Sequence, residues 1–161
     1  MCIRDSDDAI ARLQQGLEGY MAANAGYQVP QVLGELARAC AGSGRLAEAA
    51  AHVREALAAG ERTGERSSEP ELQRIKGDIL LASRRETPPG ERCFLEALAT
   101  AKRQGAVWWQ LRAAVSLARL WASGGDRQRA VDLLSPVYAS FTEGFDTPDL
   151  RDARALLDAL Q

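Results

Sequence analysis

A pattern of paired apolar segments returns in this chain every 40 to 41 residues. Ala37, Gly77 and Ala118 hold similar places in three such segments, at steps of 40 and 41. Downstream of each lies a second landmark, Ala49, Gly90 and Ala130, at steps of 41 and 40. Two landmarks that keep nearly the same step indicate one structural unit used three times. Within each unit the apolar residues recur at helical spacing, in two runs split by a short break. One amphipathic hairpin cannot bury the faces of both its helices, so each unit needs a neighbour stacked on it. The spacing therefore predicts an all-α chain, a right-handed solenoid of antiparallel helix pairs with seven or eight helices.

The runs divide the chain as follows. Ile10, Leu13, Leu17, Tyr20 and Met21 mark a partial repeat over 7–25, stopped by Asn24-Ala25-Gly26. The first full repeat covers 29–60. Its helices carry Leu33, Leu36, Ala37 and Cys40, then Ala49, Val53 and Ala56, around a Gly42-Ser43-Gly44 turn. The second covers 68–104. Ser68 followed by Glu71 has the form of a capping box, and Pro70 suits an opening turn. Gly77 in mid-helix costs up to about 1 kcal/mol against alanine, which a close helix approach would offset. Arg84–Gly90 reads as the longest polar connection, with Pro88-Pro89 stopping the preceding helix and suited to opening the next. The third repeat covers 106–140, with Asp126 as N-cap and a kink expected at Pro136. A capping helix over 147–160, opened by Thr147-Pro148, closes the stack. Residues 7–161 thus form one domain. Met1–Ser6 do not join the pattern and read as a non-native or disordered start.

The second helices show a small–large alternation: Ala49, Val53, Ala56; Gly90, Phe94, Ala97; Ala130, Leu134, Val137. Small residues admit a neighbouring helix, and the large one fills the groove between them. With Gly44 and Gly125 between helices, this spacing resembles the tetratricopeptide repeat family, on a step longer than its usual ~34 residues. The resemblance implies a tetratricopeptide-like α–α superhelix. Longer stretches, AGYQVPQVLGELARACAGSGRLAEAAAHVREALA, ELQRIKGDILLA and FTEGFDTPDLRDARALLDAL, resemble the C-terminal region of large bacterial STAND-type regulatory ATPases. Some of those carry adenylate/guanylate cyclase or transcriptional-regulator domains. That resemblance implies a sensor or scaffold arm of a signalling protein, with no active residue inside this chain.

A net charge of −2 gives no global nucleic-acid signature. Leu98–Val131 is locally basic, with Lys102, Arg103, Arg112, Arg119, Arg127 and Arg129 against Asp126, a balance of +5. That stretch carries the alternative of a nucleic-acid-binding helical repeat. A small enzyme with an unrecognised pocket is the other alternative. No phosphate-cradling glycine loop, zinc-type histidine pair or paired-cysteine spacing occurs in the sequence. Hence no catalytic residue, metal ligand or cofactor is assigned. His52, the one histidine, and Cys40 and Cys93 read as structural. With no signal core and no membrane-length apolar run, a cytoplasmic location is expected.

The candidate interaction surface is the wall lined by the first helices of each pair. Helical counting directs Gln31, Arg38, Arg74, Asp78, Arg112 and Arg119 toward it. Four arginines there read as a mildly basic groove that clamps acidic groups by bidentate bonds. The expected partner is a peptide or protein domain, including upstream domains of the same polypeptide, and not a membrane or small molecule. Trp108 and Trp109 are expected to pack one in the core and one against the neighbouring hairpin; the alternative is an exposed aromatic anchor for a partner.

Overall fold

The computed structural model describes residues 3–23, 26–84 and 87–160. Among these, eight α-helices follow one another: α1 (Ile3–Ala22), α2 (Val29–Gly42), α3 (Leu46–Thr63), α4 (Glu69–Arg84), α5 (Thr87–Gln104), α6 (Val107–Ser123), α7 (Arg127–Ala139) and α8 (Pro148–Leu160). A short 3-10 turn, Gly26–Gln28, precedes α2. Helices α2/α3, α4/α5 and α6/α7 form the pairs, and the first helices stack α2 on α4, α4 on α6 and α6 on α8.

Glycine makes the tight turns. Gly44, Gly105 and Gly125 take φ of 78°, 65° and 91°, which disfavours any side chain. In each case the amide after the glycine returns to a carbonyl five residues back: Arg45 to Cys40 at 2.8 Å, Ala106 to Ala101 at 2.9 Å, Asp126 to Trp121 at 2.9 Å. This bond satisfies a carbonyl that the helix end leaves open. Asp126 then caps α7, its carboxylate accepting from the Arg129 amide at 3.3 Å.

Val53, Phe94 and Leu134 occupy equivalent buried places, at 2%, 1% and 0% exposure. One apolar cluster gathers Leu33, Leu36, Val53 and Ile75 from the first half; a second gathers Phe94, Leu111, Leu117, Leu134 and Leu150. Helices α4 and α5 approach closely at Gly77 and Gly90. A Cβ on Gly77 would lie 2.5 Å from Phe94 Cε1, and one on Gly90 would lie 2.7 Å from Leu81 Cγ. The missing side chain of Gly77 is what lets the Phe94 ring lie against α4. Helix α8 packs on α6 and α7, burying Leu150, Ala153, Leu157 and Leu160.

Helix α1 starts at Ile3; Met1 and Cys2 of the start expected over 1–6 lie outside the described residues, as do Asn24 and Ala25 of the expected stop. Some local expectations are corrected. The α4–α5 connection is shorter than expected, because α5 starts at Thr87 and Pro88 and Pro89 sit in its first turn, the helix-opening role their sequence suits. A missing N–H costs nothing in that turn. Arg85 and Glu86 lie outside the described residues. The capping box does not form: the Glu71 carboxylate is held by arginines, and the buried Ser68 hydroxyl has no partner. Thr147 turns its hydroxyl back to donate to the Gly144 carbonyl at 2.7 Å.

Burial pushes the thiols of Cys40 and Cys93 above their ordinary value, more than nearby cations lower them. Fewer thiolates and no access make both inert. In a Cys2→Ser variant, native protein should leave Ellman's reagent nearly unreacted, and denaturant should release two thiols. Rapid native labelling of either would contradict this packing.

Candidate functional site

The wall of first helices carries a chain of ion pairs rather than free arginines. Its centre is Glu71 on α4, whose side chain is only 8% exposed. Arg74, one turn on, reaches it with Nε and Nη2, both at 2.8 Å. Arg112 of α6 brings Nη1 to the same carboxylate at 3.0 Å. The chain extends both ways. Arg74 Nη1 donates to Asp78 at 2.6 Å, and Arg112 Nε lies 3.7 Å from Asp149 of α8. Beside it, Arg119 of α6 pairs with Asp152 of α8. Arg112 also lies 5.5 Å from the centre of the Trp109 ring.

Helical spacing explains the convergence. Residues three and four apart share a face, so Glu71, Arg74 and Asp78 line one edge of α4. Arg112 and Arg119, two turns apart, line the matching edge of α6. Stacking α8 on α6 then delivers Asp149 and Asp152. Burial works against the charge on Arg74, but the bonds from Glu71 and the field of Asp78 more than restore it, and its pKa lies above the ordinary value. Partial burial holds the Asp78 carboxyl above the usual range, with Arg74 opposing.

Of the six residues assigned from sequence, Arg74, Asp78, Arg112 and Arg119 come together. Arg74, Arg112 and Arg119 surround a 130 Å³ pocket with Ser116, Asp149 and Asp152. Gln31 is exposed on α2, and Arg38 is exposed and paired with Glu35 of its own helix; neither lines that pocket. The arginines of the wall are not free. Glu35, Glu71, Asp78, Asp149 and Asp152 already meet its four arginines. Sequence patterning misses Glu71 because it looks like a cap, and Asp149 and Asp152 because α8 looks like a mere lid.

The basic stretch 98–131 likewise does not gather into one patch. Arg112 and Arg119 face the wall, Arg103 donates to Thr100 at 2.9 Å, and Arg127 donates to the Ala159 carbonyl at 2.5 Å. Arg129 lies 3.6 Å above the Trp121 ring. The tryptophan expectation is corrected too. Trp108 is 40% exposed, its ring centre 5.1 Å from that of Phe141 with the planes tilted by 56°, and Trp109 is half-buried. Adjacent helical residues point about 100° apart, and at the opening turn of α6 neither ring is fully covered by the described residues. His52 is half-buried on α3, its Nδ1 without a partner. Among the described residues no group of three or more His, Cys, Asp or Glu is placed to hold a metal, and no helix is long and apolar enough to cross a membrane.

Stacked antiparallel pairs with glycine turns and a polar wall of first helices define a tetratricopeptide-like helical-repeat module. Its fold is similar to that of a solved Podospora anserina protein assigned as a kinesin light chain with nearly identical tetratricopeptide-like repeats. The TM-score is 0.64 at 20% identity, over 96% of this chain and 76% of that one. At that identity the likeness concerns the fold. No protein-family model matches the chain, and no curated protein shows significant similarity to it.

Proposed function

We propose that the chain is a non-catalytic protein-recognition scaffold whose partner lies along the wall of first helices. The supporting observation is the graded exposure of the ion-pair chain. Glu71 and Arg74 are nearly sealed, at 8% and 11% side-chain exposure, whereas Arg119 and Asp152 stand at 53% and 46%. The sealed part fixes the geometry of the arginines. The open part consists of ion pairs that are individually weak in water, so an incoming carboxylate can replace Asp152 on Arg119 at little cost. The partner segment is accordingly an acidic peptide, or an acidic surface of another domain in the same polypeptide. Gln31, Arg38, Arg74, Asp78, Arg112 and Arg119 are its proposed contacts.

The stretches that resemble the C-terminal region of bacterial STAND-type ATPases support a finer reading. In it the chain is the regulatory arm of a multidomain cytoplasmic signalling protein, and its partner is a domain encoded upstream.

Arg119 gives the clean test. Arg119→Glu should weaken binding of an acidic partner segment, or of the upstream domain, by about tenfold or more with unchanged helicity. Asp152→Asn should tighten it by freeing the same guanidinium. Arg112 is a poor probe, since reversing its charge also disturbs Glu71. Titration at rising salt completes the experiment. Affinity that ignores salt and both substitutions would exclude the wall as the binding surface.

A further inference from the structure

The junction between the second and third pairs is filled in a way that the junction between the first and second is not. A shift of 41 residues carries α3 and α4 onto α5 and α6. Ala50 then falls on Glu91, Val53 on Phe94, Leu57 on Leu98 and Leu80 on Trp121. At the α5–α6 junction Trp121 bridges the two helices. Its indole N–H donates to Glu91 Oε1 at 2.7 Å, and Arg129 covers its ring. At the α3–α4 junction the matching residues, Ala50 and Leu80, are both smaller. A groove of about 420 Å³ lies there, lined by Leu46, Ala50, Val53, Leu57, Ile79 and Leu80. That volume falls within the ~300–1,000 Å³ of pockets that enclose small ligands.

The rim is charged with one sign. Arg54 of α3 and Lys76 of α4 line the groove, both exposed, and no acid among the described residues lines it. Lys76 stands where the next unit has Leu117, which is fully buried. The arginines of the wall, by contrast, are each met by a carboxylate, and the groove shares no residue with the 130 Å³ wall pocket.

We propose that this groove docks an acidic amphipathic helix of a partner protein. The helix inserts one aromatic side chain between α3 and α4, in the place Trp121 fills one unit later, and sets carboxylates against Arg54 and Lys76. An apolar anchor in a pocket supplies most of the affinity, and the rim charges supply orientation and rate. This docking does not depend on the wall binding anything.

The test uses the full chain and fluorescein-labelled synthetic helical peptides, read by anisotropy. One peptide carries a tryptophan flanked by glutamates, a second replaces the tryptophan with alanine, and a third replaces the glutamates with lysines. Saturable binding of the first alone is expected. Arg54→Glu with Lys76→Glu should weaken it by about tenfold or more. Ala50→Glu with Leu80→Trp rebuilds the Trp121–Glu91 arrangement inside the groove and should abolish binding, while Arg119→Glu should leave it unchanged. Methyl NMR of the wild-type chain, with shifts expected at Ala50, Leu57 and Leu80, gives a second readout that needs no variant to fold. The proposal is overturned if the alanine peptide binds equally well, if the filled-groove variant with native helicity binds like wild type, or if the shifts fall elsewhere. It is equally overturned if no peptide saturates and only anionic phosphatidylserine vesicles bind.

Discussion

Gly77→Ala should destabilise the protein by about 1–3 kcal/mol, although alanine is the better helix former. In an open helix the change would gain up to about 1 kcal/mol. Here the new methyl carbon would stand 2.5 and 2.8 Å from two atoms of the Phe94 ring and 3.1 Å from the Gly90 carbonyl oxygen. Phe94 is 1% exposed and held in the core, so the ring has nowhere to swing. Overpacking a filled core costs about 1–3 kcal/mol, and the helical gain does not cover it. For a chain of this size that loss lowers Tm by roughly 2–4 °C per kcal/mol. Gly16→Ala is the internal control. Nothing lies within 4 Å of its added carbon, so it should be neutral or slightly stabilising. Phe94→Leu on the Gly77→Ala background should recover part of the loss and no more, because the Gly90 oxygen remains. If thermal melts show Gly77→Ala as stable as wild type, α4 and α5 do not meet as closely as described.

The same residues show how far sequence carries. The step from Gly77 to Ala118 and from Gly90 to Ala130 reads as a repeat because each position is small for one reason, a neighbouring helix axis close by. Backbone signals such as Gly44, Gly125 and Asp126 are equally legible, since each is settled by its own few neighbours. Side-chain chemistry between units is less so. Ser68-x-x-Glu71 has every local mark of a capping box, yet Arg112, 41 residues beyond Glu71, competes for that carboxylate through the fold and wins. Local patterning likewise gives Arg112 and Arg119 as exposed cations, because their counterions come from other helices, Glu71 of α4 and Asp149 and Asp152 of α8. Trp108 and Trp109 are misjudged for a related reason: apolar character does not tell whether a helix opening has a neighbour over it.

Removing Glu71 should have the largest effect of any single polar substitution in the described fold. Glu71→Ala leaves the Arg74 and Arg112 side chains, at 11% and 21% exposure, without the acid they share. Stranding one partner of a buried ion pair costs about 3–5 kcal/mol. Asp78 at 2.6 Å still serves Arg74, and Asp149 at 3.7 Å partly serves Arg112, which sets the expected loss at the low end, about 3 kcal/mol. Denaturant melts should show this as a lower midpoint with an unchanged slope. A double-mutant cycle between Glu71→Ala and Arg112→Ala should return a coupling of about 1–3 kcal/mol. The same cycle on the exposed Arg119–Asp152 pair should return under about 1 kcal/mol and fade in salt. Replacing Glu71, Arg74 and Arg112 together with methionine or leucine should restore most of the loss, because the expense lies in unpaired charge rather than in missing attraction. A Glu71→Ala loss below about 1 kcal/mol would mean that water reaches this carboxylate after all. The rigid inner half of the wall, on which presentation of Arg119 to a partner depends, would then not exist.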